Sequence, residues 1–285
     1  MAEKVFLNDK IVDSSEALIP ANDGGFLYGA GVFETMRSHN GIVFCIEDHL
    51  DRLFENAQKL SILNTYDRKY IKDAIYSTLD ANSLTDARMR LTLTSGPMSG
   101  EIEQRKSTLL ISAINFTPYP GEYYSKGITV ILSPYKQIAD DPAYGVKSLN
   151  YFSRILALNL AHHHKCAEAI WFTTENYLAE GSVSNIFVVK DSKVYTPPLD
   201  TPVLPGIARK TVLKIAADNK IDITEKSLSI DDLLNADEVF VTNVIMQVMP
   251  VTGIEKHTVA DGKIGTITKK LAELYSDYLN ENCKK

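Results

Sequence analysis

Val146-Lys147-Ser148-Leu149-Asn150-Tyr151, read together with Glu180-Gly181-Ser182-Val183-Ser184-Asn185 further along, decides how this chain is read. The first stretch offers an amine that can form a Schiff base with a bound aldehyde. The second offers a carboxylate on a bend rich in glycine and serine, where backbone can close around a small molecule. Most lysines are solvated surface charges, and a glutamate beside a turn ordinarily faces water. Lys147 is flanked by Val146 and Leu149, and a helix predicted over Leu149–Cys166 carries an apolar face of Phe152, Ile155, Leu156 and Leu160. A lysine at such a junction is expected to be partly buried, and desolvation makes an amine more nucleophilic by lowering its pKa. Glu180 follows a predicted hairpin turn, Thr174-Glu175-Asn176-Tyr177.

Working outward, Val203-Leu204-Pro205-Gly206-Ile207-Ala208-Arg209-Lys210 opens a helix with proline then glycine. Free N–H groups at a helix start form an anion site, and a phosphate would fit at Ile207 and Ala208. Thr242-Asn243 puts a hydroxyl where a predicted strand, Glu238–Thr242, hands over to a loop. Arg52 lies on the clearest predicted helix, Ile46–Leu63, four residues after Asp48. Its two readings are a surface ion pair with Asp48 and a guanidinium fork on phosphate oxygens. Tyr28-Gly29-Ala30-Gly31-Val32-Phe33-Glu34-Thr35-Met36-Arg37 is glycine-spaced and aromatic, as in a strand entered from a turn. His162-His163-His164 is no metal site, because consecutive residues on a helix point in different directions.

The chain has 285 residues, 45% hydrophobic and 23% charged, enough for one large or two ordinary domains. A net charge of −6 leaves no basic footprint for nucleic acid. No apolar stretch approaches the roughly 18 residues of a membrane span, and the N-terminal Met1-Ala2-Glu3-Lys4-Val5-Phe6 has no apolar signal core. Cys45, Cys166 and Cys283 show no metal-like spacing and read as thiols in a reducing cytoplasm. The segment Val5–Val12 reads as a hairpin around Asn8-Asp9-Lys10, and Arg68–Leu79 as a helix. Arg88–Thr94 alternates, with Met89, Leu91 and Leu93 on one face, and Ser107–Ile114 is a further strand. Thr117-Pro118-Tyr119-Pro120-Gly121 ends regular structure, so residues 118–127 read as a linker between a smaller domain, 1–117, and a larger one, 128–285. Strands are predicted beyond it at Ile128–Ser133, Ala169–Thr173, Ile186–Lys190 and Lys193–Tyr195, with helices at Gly206–Asp218 and from Thr266. Helices and strands mix without a strict βαβ rhythm, which makes the fold class α+β.

These segments together resemble the class IV, or fold type IV, enzymes that depend on pyridoxal 5′-phosphate (PLP). Branched-chain aminotransferases, D-amino-acid aminotransferases and aminodeoxychorismate lyases belong to that family. The resemblance covers nearly the whole chain and keeps the family order. It runs from Phe33-Glu34-x-x-Arg37 and His49-x-x-Arg52 to Lys147–Tyr151 and Glu180-Gly181-x-x-Ser184-Asn185. It continues through Leu204-Pro205-Gly206-Ile207 to Thr242 near Pro250. It implies a two-domain fold of the D-amino-acid aminotransferase type with PLP at the domain interface, working as a homodimer. Lys147 would hold the cofactor and move the substrate proton, and Glu180 would pair with the pyridine nitrogen. Tyr151 would bond near the ring's phenolic oxygen, and Leu204 would pack on the ring. Arg52, the amides of Ile207 and Ala208, and the Thr242 hydroxyl would hold the phosphate. Ala208 departs from the Thr or Ser of many members, so only its N–H carries over.

Two reactions compete within that resemblance. One is transamination between an amino acid and a 2-oxo acid by a ping-pong cycle. Tyr28, Phe33, Thr35, Arg37, Arg88 and Arg90 occupy positions where the family places substrate-side groups, and an arginine there would receive a substrate carboxylate. The alternative is 4-amino-4-deoxychorismate lyase, releasing pyruvate and 4-aminobenzoate. Thr35, where branched-chain aminotransferases typically carry glycine, leans that way, as do Thr242-Asn243 and Val248-Met249-Pro250. Transamination is the reading adopted.

Overall fold

The computed structural model describes residues 3–99 and 106–284. It falls into two units. One comprises Met1–Thr117, Val146–Asn150 and Asn280–Lys285, the other Pro118–Gly145 and Tyr151–Leu279. The fold class is α+β.

Among the described residues the first unit contains strands β1 (Lys4–Leu7) and β2 (Lys10–Asp13), helix α1 (Gly24–Tyr28), β3 (Gly31–His39), β4 (Ile42–Val43), helices α2 (Ile46–Lys59) and α3 (Arg68–Ala81), β5 (Ala87–Thr94) and β6 (Thr108–Asn115). The sheet order is β2-β1-β6-β5-β3-β4, antiparallel throughout. The β1–β2 turn needs a left-handed residue, and Asn8 supplies it with φ 59°. Alternation divides the sheet into two faces. Val32, Met36, Met89, Leu91, Leu93 and Ile111 join Leu50, Leu53, Ile71 and Ile75 of α2 and α3 in one core. The opposite face of β3 and β5 carries Phe33 among mostly polar side chains.

The second unit contains α4 (Gly121–Lys126), β7 (Ile128–Gln137), α5 (Phe152–His163), β8 (Glu168–Thr173), β9 (Leu178–Gly181), β10 (Asn185–Lys190), β11 (Lys193–Thr196), α6 (Ile207–Asp218), β12 (Ile223–Glu225), α7 (Ile230–Leu234), β13 (Glu238–Asn243), β14 (Gln247–Ile254), β15 (His257–Thr258) and most of α8 (Thr266–Asn282). Its mixed sheet runs β12-β11-β10-β13-β14-β7-β8-β9. Glu180 of β9 pairs back to Asn185 of β10, so the strands from β10 round to β9 close on themselves. Ile170, Phe172, Ile186, Val188, Val241 and Met249 share one core. Phe187 and Phe240 stack with ring centroids 4.7 Å apart.

Three expectations change. The helix placed at Leu149–Cys166 starts at Phe152 and ends at His163. Residues 147–149 instead serve as strand partners: the Phe33 N–H donates to the Lys147 carbonyl and the Leu149 N–H to the Gly31 carbonyl, each at 2.9 Å. Backbone committed to β3 cannot also close helical turns, and this pairing puts Lys147 in the first unit rather than in a domain spanning 128–285. The chain end returns there as well, where Asn40 Nδ2 donates to the Cys283 carbonyl at 3.2 Å. Residues 118–127, read as a linker, contain α4, and the Tyr124 hydroxyl donates to the Met246 carbonyl at 3.1 Å within the second unit. Finally, α2 ends at Lys59 rather than Leu63. Ser61 turns left-handed (φ 53°), with Ile62 N–H to Ala57 carbonyl and Ser61 N–H to Gln58 carbonyl bonds closing a Schellman motif. Among the described residues no helix is long and apolar enough to cross a membrane.

Candidate active site

In the first unit, Lys147 is half-buried, and its Nζ lies 4.6 Å from the centre of the Phe33 ring. Behind β3, Glu34 points to the helix side and meets α2. Arg52 Nε and Nη2 donate to its two carboxylate oxygens at 2.8 and 2.6 Å, a bidentate pair. His49, one helical turn before Arg52, approaches Glu34 Oε2 through Nδ1 at 2.7 Å. Burial by itself would raise the Glu34 carboxyl, but Arg52 and His49 together hold it down to about 2 from 4.5. Burial lowers the His49 imidazole, against the pull of Glu34. A neutral ring donating from Nδ1 to a carboxylate has a bare acceptor at Nε2. That atom is buried and has no hydrogen-bond partner among the described residues. The ion pair that Arg52 makes is with Glu34 rather than with Asp48.

The opposite face of the same sheet carries Phe33, Thr35, Arg37, Arg88 and Arg90 of the residues expected on the substrate side, with Arg37 itself buried. Arg88 and Arg90 share one face of β5, as alternation demands, and both are exposed. Register sets Arg37 opposite Arg88, Thr35 opposite Arg90 and Phe33 opposite Thr92. The Arg90 guanidinium lies 3.9 Å from the Phe33 ring centre, so Phe33 is in contact with both Arg90 and Lys147. Arg37 packs on Phe116 at 4.0 Å. Tyr28 ends α1, two-thirds exposed.

In the second unit, Glu180 is buried and held from several sides. Oε1 accepts from Arg154 Nη2 at 2.6 Å and Gln137 Nε2 at 3.0 Å, while Oε2 accepts from the Leu204 N–H at 2.9 Å and Asn185 Nδ2 at 3.5 Å. Arg154 Nη1 also donates to the Gly181 carbonyl at 2.9 Å. Tyr151 precedes α5 and donates its phenol to the Ser182 carbonyl at 2.6 Å, leaving its oxygen as an acceptor towards other groups. Asn185 Nδ2 also binds the Leu204 carbonyl at 2.9 Å. Gly206 is pressed so close that a Cβ there would lie 1.9 Å from Asn185 Oδ1. Asn185 is the cross-strand partner of Thr242. The start of α6 at Ile207 and Ala208 therefore lies in the neighbourhood of Thr242. Among the described residues no side chain caps that helix start, and the buried Thr242 hydroxyl has no partner. Uncapped N–H groups and an orphan hydroxyl suit an oxyanion.

The chain from 31 to 254 matches the family model for class IV amino-transferases. The chain belongs to the class IV aminotransferases. It is 36% identical over 277 residues to a putative branched-chain-amino-acid aminotransferase of Methanocaldococcus jannaschii, covering 96% of both chains. It is 31% identical to a D-alanine aminotransferase of Bacillus licheniformis, covering 99% of each. It superposes on the T.th. branched-chain amino acid aminotransferase solved with pyridoxamine 5′-phosphate with a TM-score of 0.92, at 25% identity and over 99% of this chain and 95% of that one. The protein is a PLP-dependent aminotransferase, and the uncapped α6 start and the Thr242 hydroxyl fit the phosphate of that cofactor.

Sequence reasoning left several residues of these clusters unassigned. Glu34, His49 and Asn185 stand inside the quoted motifs, but nothing in their spacing announced their partners. Arg154 follows Tyr151 by three residues, the interval that puts two side chains on one side of a helix. Gln137 carried no signal, since it belongs to a strand whose far end was not recognised. Among the described residues no group of three or more His, Cys, Asp or Glu side chains could hold a metal. His162, His163 and His164 lie exposed at the end of α5.

Proposed function

We propose that this aminotransferase binds PLP through Lys147, with Glu180 as the counter-ion of the ring nitrogen and Arg52, the Ile207 and Ala208 amides and Thr242 as phosphate ligands. The orphan Thr242 hydroxyl by an uncapped helix start carries the reading, because a buried unpaired hydroxyl costs about 1–3 kcal/mol unless a ligand meets it. Tyr151 steadies the ring's phenolic edge, and Leu204 covers the ring. The bound cofactor supplies an electron-withdrawing ring that stabilises negative charge at the substrate Cα. Lys147 would take the proton from that carbon and deliver it to the cofactor carbon C4′, and its amine lies against the Phe33 ring. The Arg154, Gln137, Leu204 and Asn185 donors hold the Glu180 carboxylate in one orientation.

Arg37, Arg88 and Arg90 receive the carboxylates of the amino acid and the 2-oxo acid, with Phe33, Thr35 and Tyr28 as further substrate-side groups; the register of β3 on β5 and the exposure of Arg88 and Arg90 support this. The enzyme works in the cytoplasm as a homodimer. Support for the dimer comes from α5, where Phe152, Ile155 and Leu156 form an exposed apolar stripe at helical spacing. The test is a panel of L- and D-amino acids with 2-oxoglutarate or pyruvate, run beside aminodeoxychorismate, for wild type and Lys147→Ala. Amino transfer by wild type and none by a folded Lys147→Ala is the expected result. Pyruvate release from aminodeoxychorismate alone would replace transamination with the lyase reaction, and full activity in Lys147→Ala would remove that residue from the chemistry.

A further inference from the structure

Glu168 is a buried carboxylate that none of these roles uses. It opens β8, it is 0% exposed, and no arginine or lysine pairs with it among the described residues. A carboxylate placed so costs several kcal/mol unless donors surround it. Its donors come mainly from one place. Oε1 accepts from the N–H groups of Ala169 (2.8 Å) and Ser182 (3.0 Å). Oε2 accepts from the Val183 N–H (3.2 Å) and the Ser184 hydroxyl (2.8 Å). Three of the four belong to the turn between Glu180-Gly181 and Asn185. Glycine at 181 is needed for this approach, since a Cβ would lie 2.8 Å from Glu168 Oε2 and 2.2 Å from Ser184 Oγ.

We propose that Glu168 is a positioning residue, whose carboxylate holds the Ser182–Ser184 turn and through it sets the groups on either side of that turn that face the cofactor. The turn is joined to each of them. Glu180 immediately precedes it. Asn185 immediately follows and ties down Leu204 and Glu180. The Ser182 carbonyl accepts the Tyr151 phenol. Burial is the larger influence and leaves the Glu168 carboxyl above its ordinary value, against the pull of its hydrogen bonds; that all four partners donate to it is what marks it as the acceptor that holds the turn. This inference rests on the role proposed for Glu180.

Trp171, the chain's single tryptophan, reports on the turn without any cofactor, because its Nε1 donates to Ser182 Oγ at 3.0 Å. The experiment compares wild type, Glu168→Gln, Glu168→Asp and, as a control for general loosening of this unit, Phe187→Leu. Glu168→Gln keeps the shape but turns an amide N–H towards N–H donors. It should shift the Trp171 emission and its quenching by acrylamide in the apo protein. It should also weaken PLP binding at least tenfold and move the pH midpoint of the bound cofactor's visible absorbance by at least half a pH unit. Glu168→Asp, which retains the charge, should fall between it and wild type, and Phe187→Leu should lower thermal stability with Trp171 and PLP affinity within twofold of wild type. Trp171 signals and PLP affinity within twofold of wild type in both Glu168 variants would overturn the proposal, as would equal changes in Phe187→Leu. If Glu168→Gln does not fold, Glu168→Asp decides by the same readouts. A wild-type protein that takes up no PLP would fail the cofactor roles instead, a result kept separate by the apo Trp171 signal.

Discussion

Glu34 shows how one residue can tie a strand to a helix and leave a measurable trace. Its carboxyl is held at about 2 in the folded protein, against an ordinary value of 4.5. A carboxyl whose folded pKa is depressed adds stability that is complete above its unfolded pKa and is lost as pH falls from 4.5 through 2. By pH 3 the loss is about 2 kcal/mol, taking about 1.4 kcal/mol per pH unit. Chemical unfolding at pH 6 and pH 3 should therefore show wild type losing about 2 kcal/mol that Glu34→Gln does not lose. Parallel pH dependence in the two proteins would remove the Glu34–Arg52–His49 group from the stability of the first unit. The motif Phe33-Glu34-x-x-Arg37 was visible in the chain, but the Glu34–Arg52 bond joins residues 18 apart, and only the crossing of β3 by α2 brings them within 2.6 Å.

Periodicity placed the helices and strands well wherever side chains alternate between core and water, as on β5 with Met89, Leu91 and Leu93 inward. Ends were less legible, and α2 shows why. Its Schellman ending has serine at the left-handed position, where glycine would have signalled a stop. Ser61 is exposed and bears the cost of a left-handed L-residue. Ser61→Gly should stabilise the protein by about 0.5–1 kcal/mol, read as a rise in the urea midpoint with unchanged slope. A lower midpoint would mean that the serine side chain contributes more than its backbone strain costs. The strand role of Lys147–Leu149 was hidden for a related reason, since an isolated bridge of a few residues has no period to detect.

For the molecule as a whole, the exposed stripe on α5 carries a prediction. Phe152 is 71% exposed, an unusual state for a large aromatic on a helix. On the proposal that this stripe joins two copies, Phe152→Asp should sediment as a monomer while far-UV circular dichroism stays unchanged, because the side chain is largely exposed within one chain. A Phe152→Asp protein that still sediments as a dimer would place the interface elsewhere. By itself the chain order of motifs determined the family, the cofactor, the class of reaction and most elements, because amine, acid and glycine-opened helix are local choices of residue type. Tertiary structure alone decided that Lys147 belongs with the first unit, that Glu34 rather than Asp48 holds Arg52, and that Glu168 lies beneath the turn after Glu180. Each of these is a hydrogen-bonded pairing between distant segments, and its partner is chosen by strand register and helix packing, which no short stretch of sequence contains.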